Sequence, residues 1–407
     1  MNAADPARPR RRWLTRSVWG FGLASLLSDA GHEAATASLP ILLATLGAAP
    51  FALGLIEGVS DGISSFVKLF GGWVADRPHR RKPIAVAGYA VTGLAMGAYA
   101  FAGSWMHILL ARTVAWIAKG SRAPARDAML AEAVPPESRG RAFGFHRAMD
   151  SAGAAVGPLL ASVLLVALPL RQVFLWTVVP GVLSALVFWL LVSPSPRSHA
   201  APPAGFMVSL RGLPPRYRTF LLAIFVFGVG DFERTLLILR ATQALAPQVG
   251  VTHAAAAAAL LYMGHNAVYA LLSYPVGWLS DRWGAERLLV VGYTLGTLTG
   301  AMAAVDGGGI AWWIVAFGVG GATLAFEDTL EPIVAVAESP AAVRGTALGA
   351  LAATNGVGDL VSSTAVGVLW TVFGPEVAFG SAAVVCAFGT VGMANLARRS
   401  PRPVRQP

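Results

Sequence analysis

The chain has 407 residues, of which 55% are hydrophobic and only 13% are charged, and its formal net charge is +10. Soluble domains carry about 25% charged residues, so this composition excludes an ordinary soluble protein and predicts a polytopic membrane protein. The basic residues stand in clusters beside apolar runs, which argues against nucleic acid as a partner. The single cysteine, Cys386, excludes an intramolecular disulfide and argues against a thiolate metal site.

Twelve apolar runs are long enough to cross about 30 Å of hydrocarbon. The basic start leads directly into a full-length run, so we expect no cleavable signal peptide. The connections are short and leave little room for a soluble domain. The predicted spans are 17–46, 51–75, 83–103, 105–124, 142–168, 172–193, 219–246, 254–280, 287–306, 309–336, 345–373 and 375–397.

The basic residues between the spans predict the orientation. They cluster before the first span, after the second, before the fifth, between the sixth and seventh, and after the twelfth, whereas the alternate loops hold Arg171. By the positive-inside rule, both termini face the cytoplasm. We expect a multi-pass protein of a bacterial-type inner (plasma) membrane, with the lipid bilayer as its environment and a monomer as its oligomeric state.

A phrase at the end of the second span recurs 205 residues later: GWVADR at 72–77 and GWLSDR at 277–282. The same offset relates Arg139-Gly140 to Arg344-Gly345. A repeat of this length predicts two homologous six-span halves in the same orientation, with a solute site between them near the midplane. We place the halves at 1–193 and 219–407, and the linker, rich in proline and arginine, at 194–218.

Several ionisable residues fall inside the spans, where charge costs several kcal/mol and therefore indicates function. Asp29, His32 and Glu33 share one face of the first span, and His146 and Asp150 repeat the four-residue spacing in the fifth. The candidates for substrate binding and proton coupling are Asp29, His32, Glu33, Asp61, Arg112, Lys119, His146, Asp150, Asp231, Glu233, Glu327 and Glu331.

Three interpretations of these residues stay open. A buried carboxylate can carry the proton of a transport cycle. Alternatively, Asp29, His32, Glu33, His146 and Asp150 offer the oxygen and nitrogen ligands of a divalent transition-metal ion. In the third interpretation the charges only pair with one another and fix helix positions, for example Lys119 with Asp150.

The motifs resemble those of the major facilitator superfamily over nearly the whole chain. Gly72 to Arg81 is similar to its loop signature Gly-x-x-x-Asp-Arg/Lys-x-Gly-Arg-Arg/Lys, with His79 in place of the second glycine. In the fifth span, the spacing of Gly144, Gly153, Gly157 and Pro158 is similar to the antiporter motif of that superfamily. The resemblance implies an all-α membrane protein with twelve transmembrane helices, in two parallel six-helix halves. Spans one, four, seven and ten would line the cavity, and spans two, five, eight and eleven would meet at the interface.

The loop signature also implies a conformational latch. Asp76 can accept hydrogen bonds from the amino-terminal end of a helix in the other half and hold the cytoplasmic side closed, while the basic residues pair with acids of their own half or bind lipid head groups. The glycines and proline of the fifth span permit close helix packing and a bend. The expected gating residues are Gly72, Asp76, Arg77, Arg80, Arg81, Gly153, Gly157, Pro158, Gly277, Asp281 and Arg282.

A narrower resemblance covers 29–33, 54–58 and 119–128, which are similar to a branch with members linked to nickel or related metal resistance. The favoured function is proton-coupled efflux of a small solute by alternating access. The alternatives are export of a divalent transition-metal cation and proton-coupled import of a small metabolite. We expect no cofactor and no enzymatic activity, because the chain carries neither a phosphate loop nor a nucleophile elbow.

Overall fold

The computed structural model describes residues 13–75, 81–135, 138–194, 213–339 and 344–399, and within them the side chains except those of 68–75, 139–140, 281 and 344–346. These residues form thirteen α-helices and no strand. The helices are α1 (Arg16–Thr45), α2 (Pro50–Ala75), α3 (Arg81–Gly97, extended by a 3-10 turn, Ala98–Phe101), α4 (Trp105–Ala133), α5 (Arg139–Ala167), α6 (Leu170–Leu191), α7 (Pro215–Gly228), α8 (Arg234–Val249), α9 (Val251–Trp283), α10 (Ala285–Ala304), α11 (Ile310–Ala337), α12 (Arg344–Phe373) and α13 (Pro375–Arg398).

Helices dominate because a chain in lipid must satisfy its backbone hydrogen bonds within each segment. Three pairs of successive helices in the second half, α8–α9, α9–α10 and α12–α13, are joined by single glycines, Gly250, Gly284 and Gly374, whose φ values of 80°, 87° and 90° suit a residue without Cβ. Eight of the described helices are long and apolar enough to cross a membrane. With α1, α2, α4 and the pair α7–α8 they make the expected twelve crossing segments.

The predicted seventh span, 219–246, is wrong as one continuous helix. Helix α7 ends at Gly228 and α8 begins at Arg234. The interruption is stabilised by α12, since Ser362 Oγ donates to Asp231 O at 2.6 Å and Glu233 N donates to Ser363 Oγ at 3.2 Å. Glu233 also caps α8 by accepting from Arg234 N at 2.8 Å. Hydropathy does not reveal the break, because these backbone groups are satisfied by a distant helix.

The helices pack as an amino half, α1–α6, and a carboxyl half, α7–α13. Within the amino half α1 packs against α5 and α6, and α4 packs against α2 and α3. Within the carboxyl half α10 packs against α11 and α13, and α9 against α11. The main contacts between halves are α2 with α12 and α5 with α9, which are spans two, eleven, five and eight, as the resemblance implies. The bounds of the linker stay a prediction, because 195–212 lies outside the described residues.

The apolar cores show that the halves are joined at one end. One cluster combines both halves, with Leu39 and Leu43 of α1 packed together with Ile238 of α8 and Ala258 of α9. A second cluster, around Tyr217, belongs to the carboxyl half alone, and a third, around Val18, belongs to the amino half alone. We call the end with the shared cluster the joined end and the opposite end the open end. The open end holds the start of α1, on the side predicted to be cytoplasmic.

Candidate functional site

The predicted trio of the first span has three different partners rather than one shared ligand. Asp29 lies 3.9 Å from Arg122 of α4. The buried His32 has its Nε2 3.1 Å from Lys119 Nζ, also of α4. Glu33 accepts a hydrogen bond of 2.8 Å from the hydroxyl of Tyr262 in α9. The first two contacts stay within the amino half, and the third links the two halves.

Aromatic rings on α3 and α4 hold the cations of this cluster in place. The Arg122 guanidinium lies 4.1 Å from the ring centroid of Tyr89, and Lys119 Nζ lies 5.3 Å from that of Trp116. The His32 ring also packs on Trp116, with centroids 4.7 Å apart. Such contacts stabilise a buried cation without neutralising it.

The fifth-span pair makes contacts with α1 and within its own helix. His146 Nε2 lies 2.8 Å from Ser25 Oγ, and Asp150 lies 3.9 Å from Arg147 on its own helix. Lys119 is bonded to His32, so the suggested pairing of Lys119 with Asp150 is not the arrangement found. The predicted metal set supplies no three residues whose ligand atoms lie within 4.8 Å of one another in the described part of the chain.

A second polar centre joins α2, α4 and the interrupted seventh span. Arg112 donates to Glu57, and both side chains are fully buried. Trp116 Nε1 donates to Asp61, and Arg234 Nη1 lies 2.6 Å from Glu233 Oε2. The sequence prediction contained Asp61, Arg112 and Glu233 but neither Glu57 nor Trp116. A glutamate four residues before Asp61 on one helix face was the signal that would have added Glu57.

A cavity of about 320 Å³ lies beside this centre, mainly in the carboxyl half. Among the side chains that the structure describes, its walls carry seven carboxylates and two basic groups, Arg234 and His265. The structure thus brings Asp61, Asp231, Glu233, Glu327 and Glu331 of the predicted set to one space. The carboxylates are Asp61, Asp231, Glu233, Glu327, Asp328, Glu331 and Asp359.

The buried acids of α11 differ in their hydrogen bonds. Glu331 accepts from Tyr293 at 2.9 Å and from Asn355 at 2.7 Å, which satisfies both of its oxygens. Glu327 is only 9% exposed, and its Oε1 has no hydrogen-bond partner within the described ranges. Tyr293 and Asn355 were not predicted, although tyrosine and asparagine in apolar spans are an available signal, since buried polar groups need partners.

The predicted latch is mostly outside the described residues. Asp76, Arg77 and Arg80 lie outside the described residues, and Gly72 and Asp281 are described only in their backbone. Arg81 pairs with Glu132 of α4 at 2.7 Å, an acid of its own half as expected. In the second copy of the motif, the Arg282 guanidinium lies 4.0 Å from the ring centroid of Trp278, and a Cβ on Gly277 would meet Thr329 at 3.4 Å. The latch therefore stays a prediction.

The glycines of the fifth span contact the first span of their own half. A Cβ on Gly153 would lie 2.5 Å from the carbonyl oxygen of Leu26, and one on Gly157 would lie 2.6 Å from Glu33 Cβ. Pro158 stands inside the continuous helix α5. The contact from this segment to the other half is made instead by Ala154, whose carbonyl accepts from Asn266 Nδ2 at 2.7 Å. The small residues thus bring α1 and Glu33 close to α5.

Two bundles of membrane-crossing helices, with an acid-lined cavity beside the contact between them, are the architecture of a secondary transporter. Comparison with known families agrees with this class. The Major Facilitator Superfamily matches residues 21–233 and 229–407, and the chain belongs to that family.

Individual relatives are similar to the chain over different lengths. An uncharacterized MFS-type transporter of Methanocaldococcus jannaschii is 28% identical over 377 residues, covering 90% of this chain and 92% of the relative. The multidrug resistance protein MdtH of Photorhabdus laumondii is 35% identical over 115 residues, which cover 28% of this chain and 27% of that protein. The crystal structure of the nucleoside transporter NupG has a TM-score of 0.77 at 14% identity, covering 94% of this chain and 99% of that chain. This last likeness concerns the fold alone.

Proposed function

We propose that the protein is a proton-coupled exporter of a small solute, and that the solute carries positive charge. The observation that supports this most directly is the cavity, where seven carboxylates stand beside two described basic side chains, Arg234 and His265. Carboxylates in a space of low polarity are stable when they are protonated or when they lie beside a cation. A cationic solute and protons can therefore replace one another in the same space, which is the requirement for exchange.

Glu327 is the best candidate for the proton carrier. Its carboxylate is almost fully buried, and Oε1 lacks a hydrogen-bond partner in the part of the chain that is described. Glu331, one turn later on the same face, has both oxygens satisfied and is better suited to position the site. A carboxylate that accepts no hydrogen bond from a fixed donor can gain and lose a proton without breaking hydrogen bonds to its neighbours.

Export rather than import is favoured by two observations. The glycine spacing of the fifth span is that associated with antiporters of the superfamily, and one relative over part of the chain is named a multidrug resistance protein. Import of a small metabolite would use the same architecture, so the direction must be measured. Export of a transition metal has less support. Among the described residues, Glu57, Asp61 and Glu233 are the set whose ligand atoms lie within 4.8 Å of one another, and this set contains no histidine and no cysteine.

The membrane arrangement belongs to the same proposal. Both termini would face the cytoplasm of a bacterial-type inner membrane, since the clusters of arginine lie on that side. The open end would then give access from the cytoplasm, the side from which an exporter loads its solute. The proposal also includes a monomeric state and a division of the chain into an amino half, a cytoplasmic linker and a carboxyl half, at 1–193, 194–218 and 219–407.

The function is tested in proteoliposomes with an imposed proton gradient and a panel of drug-like and inorganic cations. A gradient should drive accumulation of at least one cation, and Glu327→Gln should abolish the accumulation while leaving exchange of the same solute without a gradient. Asp306→Asn is a matched control, because this carboxylate is exposed in the loop between α10 and α11, outside the cavity, and asparagine keeps the oxygen that accepts from Gly308 N. Fluxes that do not respond to the gradient for any cation would contradict proton coupling.

A further inference from the structure

One carboxylate of the cavity has an oxygen without a hydrogen bond to the described part of the protein. Glu327 of α11 lines the cavity and is only 9% exposed, and its Oε1 has no partner among the described residues. The large majority of buried polar side-chain atoms do have a partner. Asp231 and Asp328 stand in the same wall, so a partner that carries positive charge suits this oxygen best.

A histidine of α9 adds a second kind of acceptor to the cavity wall. Asn266 Nδ2 donates to the carbonyl oxygen of Ala154 at 2.7 Å, which leaves the amide oxygen of Asn266 to face His265 Nδ1 at 3.2 Å. In the neutral imidazole the proton is then on Nδ1, and Nε2 is an acceptor. Nε2 lies beside the wall residue Gly320, whose Cβ would be 3.6 Å from it.

Four donors of the cavity wall are already bonded within the protein. Arg234 Nη1 donates to Glu233 Oε2 at 2.6 Å. A donor bonded in this way can contact a ligand only by giving up its present bond. The described wall is therefore richer in acceptors than in free donors, and the ligand that satisfies it is a donor. The other three bonds run from Thr299 Oγ1 to Leu295 O, from Thr323 Oγ1 to Val319 O and from Asn355 Nδ2 to Glu331 Oε2.

The aromatic rings of the cavity wall do not form a cage for a cation that lacks N–H groups. Within the described part of the chain, the wall has two phenylalanines, Phe227 and Phe232, and neither tyrosine nor tryptophan. Phe227 stacks on Tyr293 with centroids 3.7 Å apart, and Phe232 packs against Phe379 at 4.7 Å. Quaternary ammonium groups are bound by several ring faces that are free to contact the cation. These two rings already pack on other rings, so they favour a different kind of cation.

We propose that the solute is a cation with several N–H groups, a primary ammonium or a guanidinium ion, rather than a quaternary ammonium ion. The inference rests on the proposed function, in which the cavity takes a positively charged solute. The N–H groups of the cation bond to acceptors of the wall, among them Glu327 Oε1 and His265 Nε2. Such charge-assisted hydrogen bonds are roughly twice as strong as neutral ones. A cation without N–H groups is rejected, because it leaves these buried acceptors unpaired.

The experiment measures how the purified full-length protein in nanodiscs binds hexylammonium and its N-methyl, N,N-dimethyl and N,N,N-trimethyl derivatives. All four ions are cations near neutral pH, and each methyl group removes one N–H. Isothermal titration calorimetry gives the Kd, with empty nanodiscs as the blank for partition into lipid. We expect the affinity to fall with each methyl group, by about tenfold or more over the series. Desolvation alone would give the opposite order, because the methylated ions are less polar.

A variant of His265 assigns the preference to the cavity. His265→Phe removes one acceptor and keeps an aromatic ring, so it should weaken binding of the primary ion by about fivefold and leave that of the trimethylated ion within about twofold. Glu327→Gln is less suitable here, because it keeps an accepting oxygen. His253→Phe is the matched control, since this histidine is exposed on the same helix and lies outside the cavity. If His265→Phe fails to fold, the methylation series on the wild-type protein tests the proposal by itself.

Three outcomes of the series would overturn the proposal: equal affinities, an affinity that rises with methylation, or no binding of any of the four ions. An equal preference for the primary ion in His265→Phe and His253→Phe would contradict the role of His265. Proton-driven transport is tested separately in proteoliposomes. A gradient that drives the trimethylated ion as well as the primary ion would overturn this inference and leave the exporter in place, whereas cation fluxes that never respond to the gradient would overturn the proposed function.

Discussion

At the scale of single residues, the described charges of the amino half act through specific pairs. The most buried is Glu57 with Arg112, whose side chains are 0% and 1% exposed. Replacing a whole buried pair by apolar residues is often neutral, but removing one partner is strongly destabilising because a buried charge is left alone. The pair is therefore better explained by a role in positioning Glu57 at the contact between the halves than by a contribution to stability.

The hydrogen bond between Tyr262 and Glu33 is the residue contact across the halves that is simplest to test. Tyr262→Phe removes the 2.8 Å bond and should lower the stability of this conformation by about 0.5–1.5 kcal/mol, the usual net value of such a bond. Thermal unfolding in nanodiscs measures the change. Tyr274→Phe on the same helix is the control, since that side chain is 81% exposed. An equal effect of the two variants would contradict a structural role for the bond.

At the scale of elements, the interrupted seventh span decides which acids meet. The break places Asp231 and Glu233 on irregular backbone beside α12, where the hydroxyls of Ser362 and Ser363 satisfy the backbone. A continuous helix would bond these backbone groups internally and would point the two acids to nearly opposite faces, about 160° apart at about 100° per residue. Irregular backbone inside a membrane protein is tolerated where it lines a cavity, as it does here.

Two glycines of the fifth-span motif differ in their packing, so substituting each one tests whether the motif is required for close helix packing. Gly157→Ala should destabilise the protein by about 1–3 kcal/mol, because its Cβ would lie 2.7 Å from the carbonyl oxygen of Ala30. Gly144→Ala should be neutral or slightly stabilising, since no atom lies within 4 Å of its Cβ and alanine favours a helix. Thermal unfolding compares the two variants. Equal destabilisation by the two substitutions would show that the close approach of α5 to α1 does not restrict the size of the side chain at residue 157.

At the scale of the whole molecule, one apolar cluster joins the halves at one end while each half keeps its own cluster at the other. The contact between α2 and α12 belongs to the joined end and depends on glycine. Gly54 packs directly on Ser363, and a Cβ on Gly58 would lie 2.8 Å from the carbonyl oxygen of Leu360. Backbone atoms cannot yield as a flexible side chain can, so these positions control how closely the halves approach.

Gly58→Ala should therefore shift the population toward a conformation with the joined end open. Spin labels at cysteines introduced in place of Ala49 and Val249, in a Cys386→Ser background, report the separation of the halves by pulsed electron paramagnetic resonance. The distance distribution should move to longer values than in the unsubstituted background. Gly264→Ala in α9 is the control, since its Cβ would meet no atom within 4 Å. Identical distributions for the two variants would contradict the assignment.

The class of protein, the number of crossing segments and the likeness of the two halves could be predicted from the amino-acid sequence. Composition, the lengths of apolar runs and the repeat at 72 and 277 are properties of the chain, and they need no knowledge of neighbours. The sequence also identified most of the acids that line the cavity, because a charged residue within an apolar run is recognisable without knowledge of where the helix packs.

The grouping of those acids and the end of the molecule that is closed could not be predicted in this way, because both depend on how distant helices pack. Asp29, His32 and Glu33 share one helix face, and His32 Nε2 lies 3.6 Å from Glu33 Oε1, yet each also has a different partner on another helix, namely Arg122, Lys119 and Tyr262. Glu57 and Glu233 are 176 residues apart in the chain and meet in space. Such groupings depend on the rotation of each helix about its axis and on which distant helix it packs against, and neither is a property of a local stretch of sequence.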